Sequence, residues 1–335
     1  MQAAIYGFEG PELTIDEQAF FRDCDPAGFI LFKRNCENQE QLLRLTDSLR
    51  ELTGRDDVPI LIDQEGGRVA RMKPPAWPSF PAAERFAELY QVAPSSAIEA
   101  ARSNARALGL MLRSVGLNVN ALPLLDVRQV GASDIIGDRA LGSEPMQVSA
   151  LGRAVLDGLA SAGVVGIVKH IPGHGRALVD SHHELPIVTA SDDELQGDLE
   201  PFERLSAAPM GMMAHVVYTA WDAEHPASQS SIVIERIVRE RIGFDGFLMS
   251  DDSNMNALKG TPAERAAACV DAGCDVALPC SGVLIENIAI ADRLGDITPE
   301  GADRLARAMA GTRLELNRLD FAEEIAKRDQ LLALV

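Results

Sequence analysis

The sequence predicts an α/β chain folded as a single (β/α)8 barrel, a TIM barrel, over residues 1–335. Three observations carry this expectation. Short apolar, β-branched runs alternate with amphipathic helical stretches about eight times, at roughly forty residues per unit, the cadence of that fold. Polar groups fit for chemistry fall at or just after the ends of the apolar runs, where barrel enzymes carry their catalytic residues. No Gly/Ser-rich linker and no shift in composition marks a second domain. A doubly wound open sheet would need fewer strands, and no G-x-G-x-x-G opens a helix after the first one.

Residues 2–8 form the first strand candidate, broken by Gly10-Pro11, and the Thr14 to Glu17 spacing fits a capping box at a helix start. The second strand is residues 28–32. Asn38 then caps a helix with a leucine face, stopped by Gly54. Residues 58–62 (VPILI) are the third strand and run straight into DQEGGRVAR at 63–71. Residues 74–81 (PPAWPSFP) read as a stiff loop exposing Trp77 and Phe80, either to stack on a ring or to pack against the loop itself. A helix from about residue 95 ends at Gly116, and the fourth strand lies within 117–127 with Asp126 near its end. The polar stretch 130–142 contains Asp134, Asp138 and Arg139, and a helix follows from 143 to 163.

Strand five is the buried-type run 164–168, ending in Lys169 and His170 and opening into PGHG at 172–175. Ser191 to Glu194 is a second capping box. Strand six covers 210–217 with His215 near its end, a helix lies within 228–243, and strand seven is 246–249, followed by Ser250-Asp251-Asp252. Thr261-Pro262-Ala263-Glu264 caps a further helix that ends at Gly273, strand eight is 274–278, and the chain from about residue 299 reads as helix.

A formal net charge of −19 argues against nucleic acid or an anionic membrane surface as partner. Five cysteines, mostly in apolar runs and without metal-type spacing, suit a reducing setting, and a cytoplasmic location is expected. Residues 1–11 lack the basic-then-apolar pattern of a signal peptide, and no apolar run is long enough to cross a bilayer.

Asp63, Asp126, Lys169, His170, His215 and Asp251 all fall at strand ends. Of the adjacent acids, Asp251 is expected to face the barrel mouth as nucleophile, base or ligand, and Asp252 to cap the next helix. Asp180 near His182 makes a proton-transfer pair, with His183 pointing elsewhere. Asp63 with Arg71, Lys169 and His170 suits a hydroxyl-rich ligand bearing amides or carboxylates, and an internal ion pair of Asp63 with Arg71 or Lys169 is compatible with that. His174 reads as a loop-shape residue, while Asp126 and His215 stand between bracing and binding. His170, His174, Asp180 and His182 lie close in sequence, but Gly and Pro break the helical spacing of H-E-x-x-H, so no metal is expected. PGHG lacks the G-K-[ST] ending of a phosphate loop, and no cofactor is expected.

The motifs LIDQEGGRVAR (61–71), IIGDRALGSEP (135–145), KHIPGHG with DSHHELP (169–186) and FLMSDDSNM (247–255) resemble the family-three glycoside hydrolases, of the single-domain bacterial β-N-acetylglucosaminidase kind active in cell-wall recycling. The resemblance implies a retaining exo-hydrolase that removes terminal β-linked N-acetylglucosamine from muropeptide fragments, acting as a monomer on a small sugar substrate. It implies Asp251 as nucleophile, His182 as acid/base with Asp180 as its partner, and Asp63, Arg71, Arg139, Lys169 and His170 as the sugar grip. An imidazole repels an anionic acceptor less than a carboxylate does, so a phosphorylase on the same scaffold is the alternative, ahead of a metal-dependent barrel hydrolase. The chain departs from the family pattern at Ile171, at Arg176-Ala177 and at Ser253.

Overall fold

Alternation along the strands decides which side chains fill the barrel and which face the helices. The computed structural model describes residues 1–181, 184–313 and 319–335. Its strands are β1 (Gln2–Tyr6), β2 (Pro26–Leu31), β3 (Ile60–Ile62), β4 (Val119–Asn120), β5 (Val165–Ile171), β6 (Ile187–Val188), β7 (Met210–Met213), β8 (Val217–Tyr218), β9 (Phe247–Asp252) and β10 (Val276–Leu278). Eight of them close into a barrel in the order β1-β10-β9-β7-β5-β4-β3-β2, and β6 and β8 form a separate two-stranded ladder. The (β/α)8 expectation holds. Ile5, Ile30, Leu61, Ile167, Met212, Met249 and Leu278 share one apolar cluster inside the barrel. Their strand neighbours Tyr6, Phe29, Leu31, Ile60, Ile62, Val168 and Leu248 belong to the larger layer beneath the helices. Continuing the inward row by two residues from Leu61, Ile167 and Met249 reaches Asp63, Lys169 and Asp251. A charged storey therefore stands directly on an apolar floor.

The helices are α1 (Ile15–Cys24), α2 (Gln39–Thr53), α3 (Ala83–Val92), α4 (Pro94–Arg113), α5 (Pro145–Ser161), α6 (Asp192–Arg204), α7 (Pro262–Asp271), α8 (Leu284–Arg293), α9 (Pro299–Met309) and α10 (Phe321–Leu332), with a π-helical segment at Val233–Arg241. The three expected capping boxes form at Thr14/Glu17, Ser191/Glu194 and Thr261/Glu264. Each satisfies two backbone N–H groups reciprocally, one on the cap and one on the third helical residue. Asn38 caps α2 by accepting from the Gln41 N–H, and Gly54 ends it in the left-handed region. Helices α3 and α8, each ten residues long, escape the sequence reading; their N-cap positions are Ala82 and Val283, which make no side-chain cap bond.

Two of the expected strand stretches are cut back most. The 117–127 stretch keeps only β4, and Pro123 has no N–H to give a ladder; the Ile167 and Lys169 N–H groups still donate to the Leu122 and Pro123 carbonyls, and the Leu125 N–H donates to the Lys169 carbonyl. The 210–217 stretch divides into β7 and β8, leaving His215 between them. Trp77 and Phe80 are buried rather than exposed, at 7% and 5%. They join the core beneath the helices, and the Arg328 guanidinium of α10 covers the Phe80 ring at 5.6 Å. All five cysteines are free thiols. No helix among the described residues is long and apolar enough to cross a membrane.

Candidate active site

The inward row at the ends of β3 and β5 makes a ladder of alternating charge. Lys169 is 2% exposed, and its Nζ lies 3.0 Å from Asp63 Oδ1 and 2.8 Å from Glu65 Oε1. Arg71 Nη2 donates to the other Asp63 oxygen at 3.0 Å. Arg139 presents Nε and Nη2 to the two Glu65 oxygens at 2.9 and 2.8 Å, a bidentate pair, while Nη1 donates to the Ile135 carbonyl. Burial alone would push both carboxyls up, but Lys169 with Arg71, and Lys169 with Arg139, hold Asp63 and Glu65 below the usual range. For Lys169 burial works the other way, and the two facing carboxylates overcome it, so the ammonium keeps its proton.

Asp126 closes the next layer. It is fully buried, and its Oδ1 accepts the backbone N–H groups of His170 at 3.2 Å and His174 at 2.7 Å. Its Oδ2 lies 2.7 Å from His170 Nδ1. Burial opposes the charge on Asp126, but the His170 ring and the His174 N–H hold its pKa down to about 2. An ionised carboxylate only accepts, so His170 carries its proton on Nδ1 and turns Nε2 toward the barrel mouth. That Nε2 is 4.0 Å from Asp251 Oδ2.

Asp251 ends the inward row of β9. Its Oδ1 accepts the Asp252 N–H at 2.8 Å. Burial would raise its pKa, and the adjacent imidazoles of His170 and His215 keep it lowered. His215 is 0% exposed, with Nδ1 2.6 Å from Ser228 Oγ and Nε2 3.0 Å from the Asp252 carbonyl. A carbonyl can only accept, so Nε2 donates and the ring braces the backbone on which Asp251 sits. The Asp252 carboxyl is raised to about 6, chiefly by burial and further by Asp251. Asp63, Lys169, His170, Arg71, Arg139, Asp251 and Asp252 all line one cleft of about 870 Å³, its open mouth included, with Ile30, Met212 and Leu278 also in the lining.

The chain matches the glycosyl hydrolase family 3 N terminal domain over residues 11–308. It is 36% identical to a Beta-hexosaminidase of Bordetella avium over 305 residues, covering 90% of this chain and 86% of the relative. The Beta-hexosaminidase of Methylococcus capsulatus is 39% identical over 284 residues, covering 83% and 82%. This chain belongs to glycosyl hydrolase family 3. Among solved structures of the family, NagZ from Neisseria gonorrhoeae in complex with N-trifluoroacetyl-D-glucosamine superposes with a TM-score of 0.88 at 32% identity, covering 99% of this chain and 98% of that one. A family 3 β-N-acetylglucosaminidase from Paenibacillus sp. str. FPU-7 gives 0.86 at 30% identity, covering 98% and 66%.

For a family 3 chain, the structure gathers six of the eight singled-out residues into the cleft: Asp63, Arg71, Arg139, Lys169, His170 and Asp251. Asp180 lies on the loop after β5, next to Ser181, which lines the cleft. His182, with His183, lies outside the described residues. Asp126 proves to be a brace rather than a wall of the cleft, and so does His215. His174 is buried, its Nε2 3.2 Å from Ser181 Oγ, with burial lowering its pKa to about 4. Asp252 does not cap the next helix: its Oδ1 accepts the Asn254 N–H in a turn, and Thr261 caps α7. Glu65 was missed. The signal was its parity with Asp63 in DQEGGR, which puts both acids on the same inward row. Among the described residues no group of three His, Cys, Asp or Glu is placed to hold a metal ion.

The loop after β5 is seated on its neighbours. A Cβ on Gly175 would lie 1.9 Å from the Val127 carbonyl oxygen, so only glycine fits there. Ser133 N–H donates to the Ala177 carbonyl at 2.9 Å. Arg176, where the family pattern differs, donates through Nε to Asp198 of α6 at 2.6 Å and through Nη2 to the Glu194 carbonyl at 2.7 Å.

Proposed function

We propose that this chain is a retaining exo-β-N-acetylglucosaminidase that removes terminal non-reducing N-acetylglucosamine from muropeptide fragments such as GlcNAc-1,6-anhydro-MurNAc. At the coarser level the chain is a glycoside hydrolase of the β-N-acetylhexosaminidase class. The observation that carries the finer reading is the ionised Asp251 at the inward end of β9, beside His170 and in one cleft with the Asp63–Lys169–Glu65–Arg139 ladder.

The Asp251 carboxylate attacks the anomeric carbon while the bond to the leaving oxygen breaks, and His182 gives that oxygen its proton. A covalent glycosyl ester on Asp251 results. His182, now the base, takes a proton from water, the water oxygen attacks the same carbon, and Asp251 leaves as a carboxylate. Two displacements give net retention. The imidazole stands in for the second carboxyl of the usual pair, and Asp180 holds its orientation. Asp63, Arg71, Arg139, Lys169 and His170 bind the hydroxyls and the N-acetyl group. Apolar Ile30, Met212 and Leu278 close the cleft from beneath, which favours entry of a chain end over a chain interior.

The same proposal takes residues 1–335 as one catalytic unit acting as a monomer in the cytoplasm. A 5-fluoro-N-acetyl-β-glucosaminyl fluoride, which keeps the acetamido group on C2, tests it. The expected product is a labelled peptide bearing the sugar on Asp251. A label elsewhere, or inversion at the anomeric carbon, would refute it.

A further inference from the structure

Arg139 sits on the long β4–α5 connection, in a 3-10 turn at Gly137–Arg139, far from any barrel strand in sequence. A side chain on such a connection can grip a ligand only if something fixes the segment. Two residues of the DQEGGR run do so. Glu65, whose side chain is 5% exposed, gives both oxygens to Arg139 and shares one of them with Lys169. Those contacts use its carboxylate on cations, and it sits one step along the inward row from Asp63. Arg68 approaches the same segment from the rim. Its Nη2 donates to the carbonyls of Asp134 at 2.6 Å and Ile135 at 2.8 Å, and its Nε to Asp138 at 2.6 Å. Gly66 and Gly67, with φ of 106° and 54°, make the turn that lets these two side chains diverge, one inward and one outward.

We propose that Glu65 and Arg68 are positioning residues that dock segment 134–139 onto the end of β3 and thereby set Arg139 for binding the sugar. This rests on the reading of Arg139 as a sugar-binding residue. Glu65 also fixes the spacing between the Lys169 ammonium and the Arg139 guanidinium, because one carboxylate bridges both. The ligand class is a pyranose whose hydroxyl or acetamido oxygen accepts from those two cations. Loss of the dock weakens binding of that sugar before it touches the chemistry at Asp251.

Steady-state kinetics of Glu65→Gln, Glu65→Asp and Arg68→Met on 4-nitrophenyl N-acetyl-β-D-glucosaminide, with product inhibition by N-acetylglucosamine, test this. Glu65→Gln is expected to raise KM and the inhibition constant about tenfold or more, the loss of a charged hydrogen bond, with a smaller change in kcat. Arg68→Met, at a half-exposed site, is expected to raise KM several-fold without threatening the fold. Combining Glu65→Gln with Arg139→Gln should cost clearly less than the product of the two separate losses. A purely structural role would lower the amount of active enzyme, hence apparent kcat, and leave KM in place. KM within twofold of wild type in Arg68→Met and in whichever Glu65 variant folds overturns the proposal. Failure of the wild-type enzyme to turn over the glucosaminide would instead sink the underlying reading.

Discussion

His170 Nε2 lies 4.0 Å from Asp251 Oδ2, too long for a direct hydrogen bond and near enough for one ligand hydroxyl to touch both. The ring holds that position because Asp126 grips its far nitrogen.

Asp126→Asn removes the acceptor charge from a buried group that receives three N–H donors. Each charge-assisted bond contributes about 1.5–3 kcal/mol, so kcat/KM should drop roughly 10- to 100-fold. Stability should fall by about 1–3 kcal/mol for a donor left without a partner. Kinetics with denaturant unfolding of the same variant measure both, and an unchanged kcat/KM would show that the His170 orientation is irrelevant to turnover.

Asp251→Ala and His182→Ala should fail differently. The first is expected to cut turnover of every substrate by at least about a thousandfold, since no nucleophile remains. The second should cost about 10²–10⁴-fold on a natural disaccharide and far less on a dinitrophenyl glycoside, whose leaving oxygen needs no proton. A leaving-group series for both variants separates the roles. Equal losses across the series in His182→Ala would contradict it.

Stability against pH should be shallow between about pH 4 and 6 and steep below. His174 at about 4, and His215 lowered by burial, favour the fold above the ordinary histidine value and lose that contribution as pH falls. Asp198 and Asp252, both raised to about 6, act oppositely: their contribution is full below the ordinary aspartate value and lost as pH rises through 6. Two imidazoles thus offset two carboxyls in that window. Below pH 4 the lowered groups Asp126, Asp63 and Glu65 take up protons, and the stability they supply disappears. Urea midpoints at pH 7, 5 and 3 give the curve.

Water rather than phosphate should be the acceptor. The cations lining the cleft, Arg68, Arg71, Arg139 and Lys169, each already face a carboxylate. A dianion entering there would meet Asp63, Glu65 and Asp251 with no uncommitted cation among the described residues to greet it. Phosphate buffer is therefore expected to yield free N-acetylglucosamine, and accumulation of a glycosyl phosphate by ³¹P NMR would reverse the assignment.

The site was legible where chemistry coincided with strand parity. Asp63, Lys169 and Asp251 each follow an inward apolar residue by two positions, so an apolar run plus a charged end announces them. Asp126 was ambiguous because a brace and a wall residue look alike until the loop that crosses them is seen. Glu65 was overlooked although it shares the parity of Asp63; its partner Arg139, 74 residues away, lies on a connection rather than at a strand end. The aromatic pair Trp77 and Phe80 misled because proline-rich sequence suggests a projecting loop, whereas both rings join the core beneath the helices and Arg328 of α10 covers Phe80. Capping boxes were read correctly since their signal is local, and α3 and α8, each only ten residues long, start without a side-chain cap.

Gly175 carries a last consequence. Its backbone rests where the Val127 carbonyl leaves no space for a side chain, and Ser133 reaches across to Ala177 two residues on. The connections after β4 and β5 thus share a fulcrum. Grafting one of them alone from a relative with a different acceptor preference should yield a mismatched, poorly working hybrid, while transplanting both together keeps the pivot, so in engineering the two are best exchanged as one cassette.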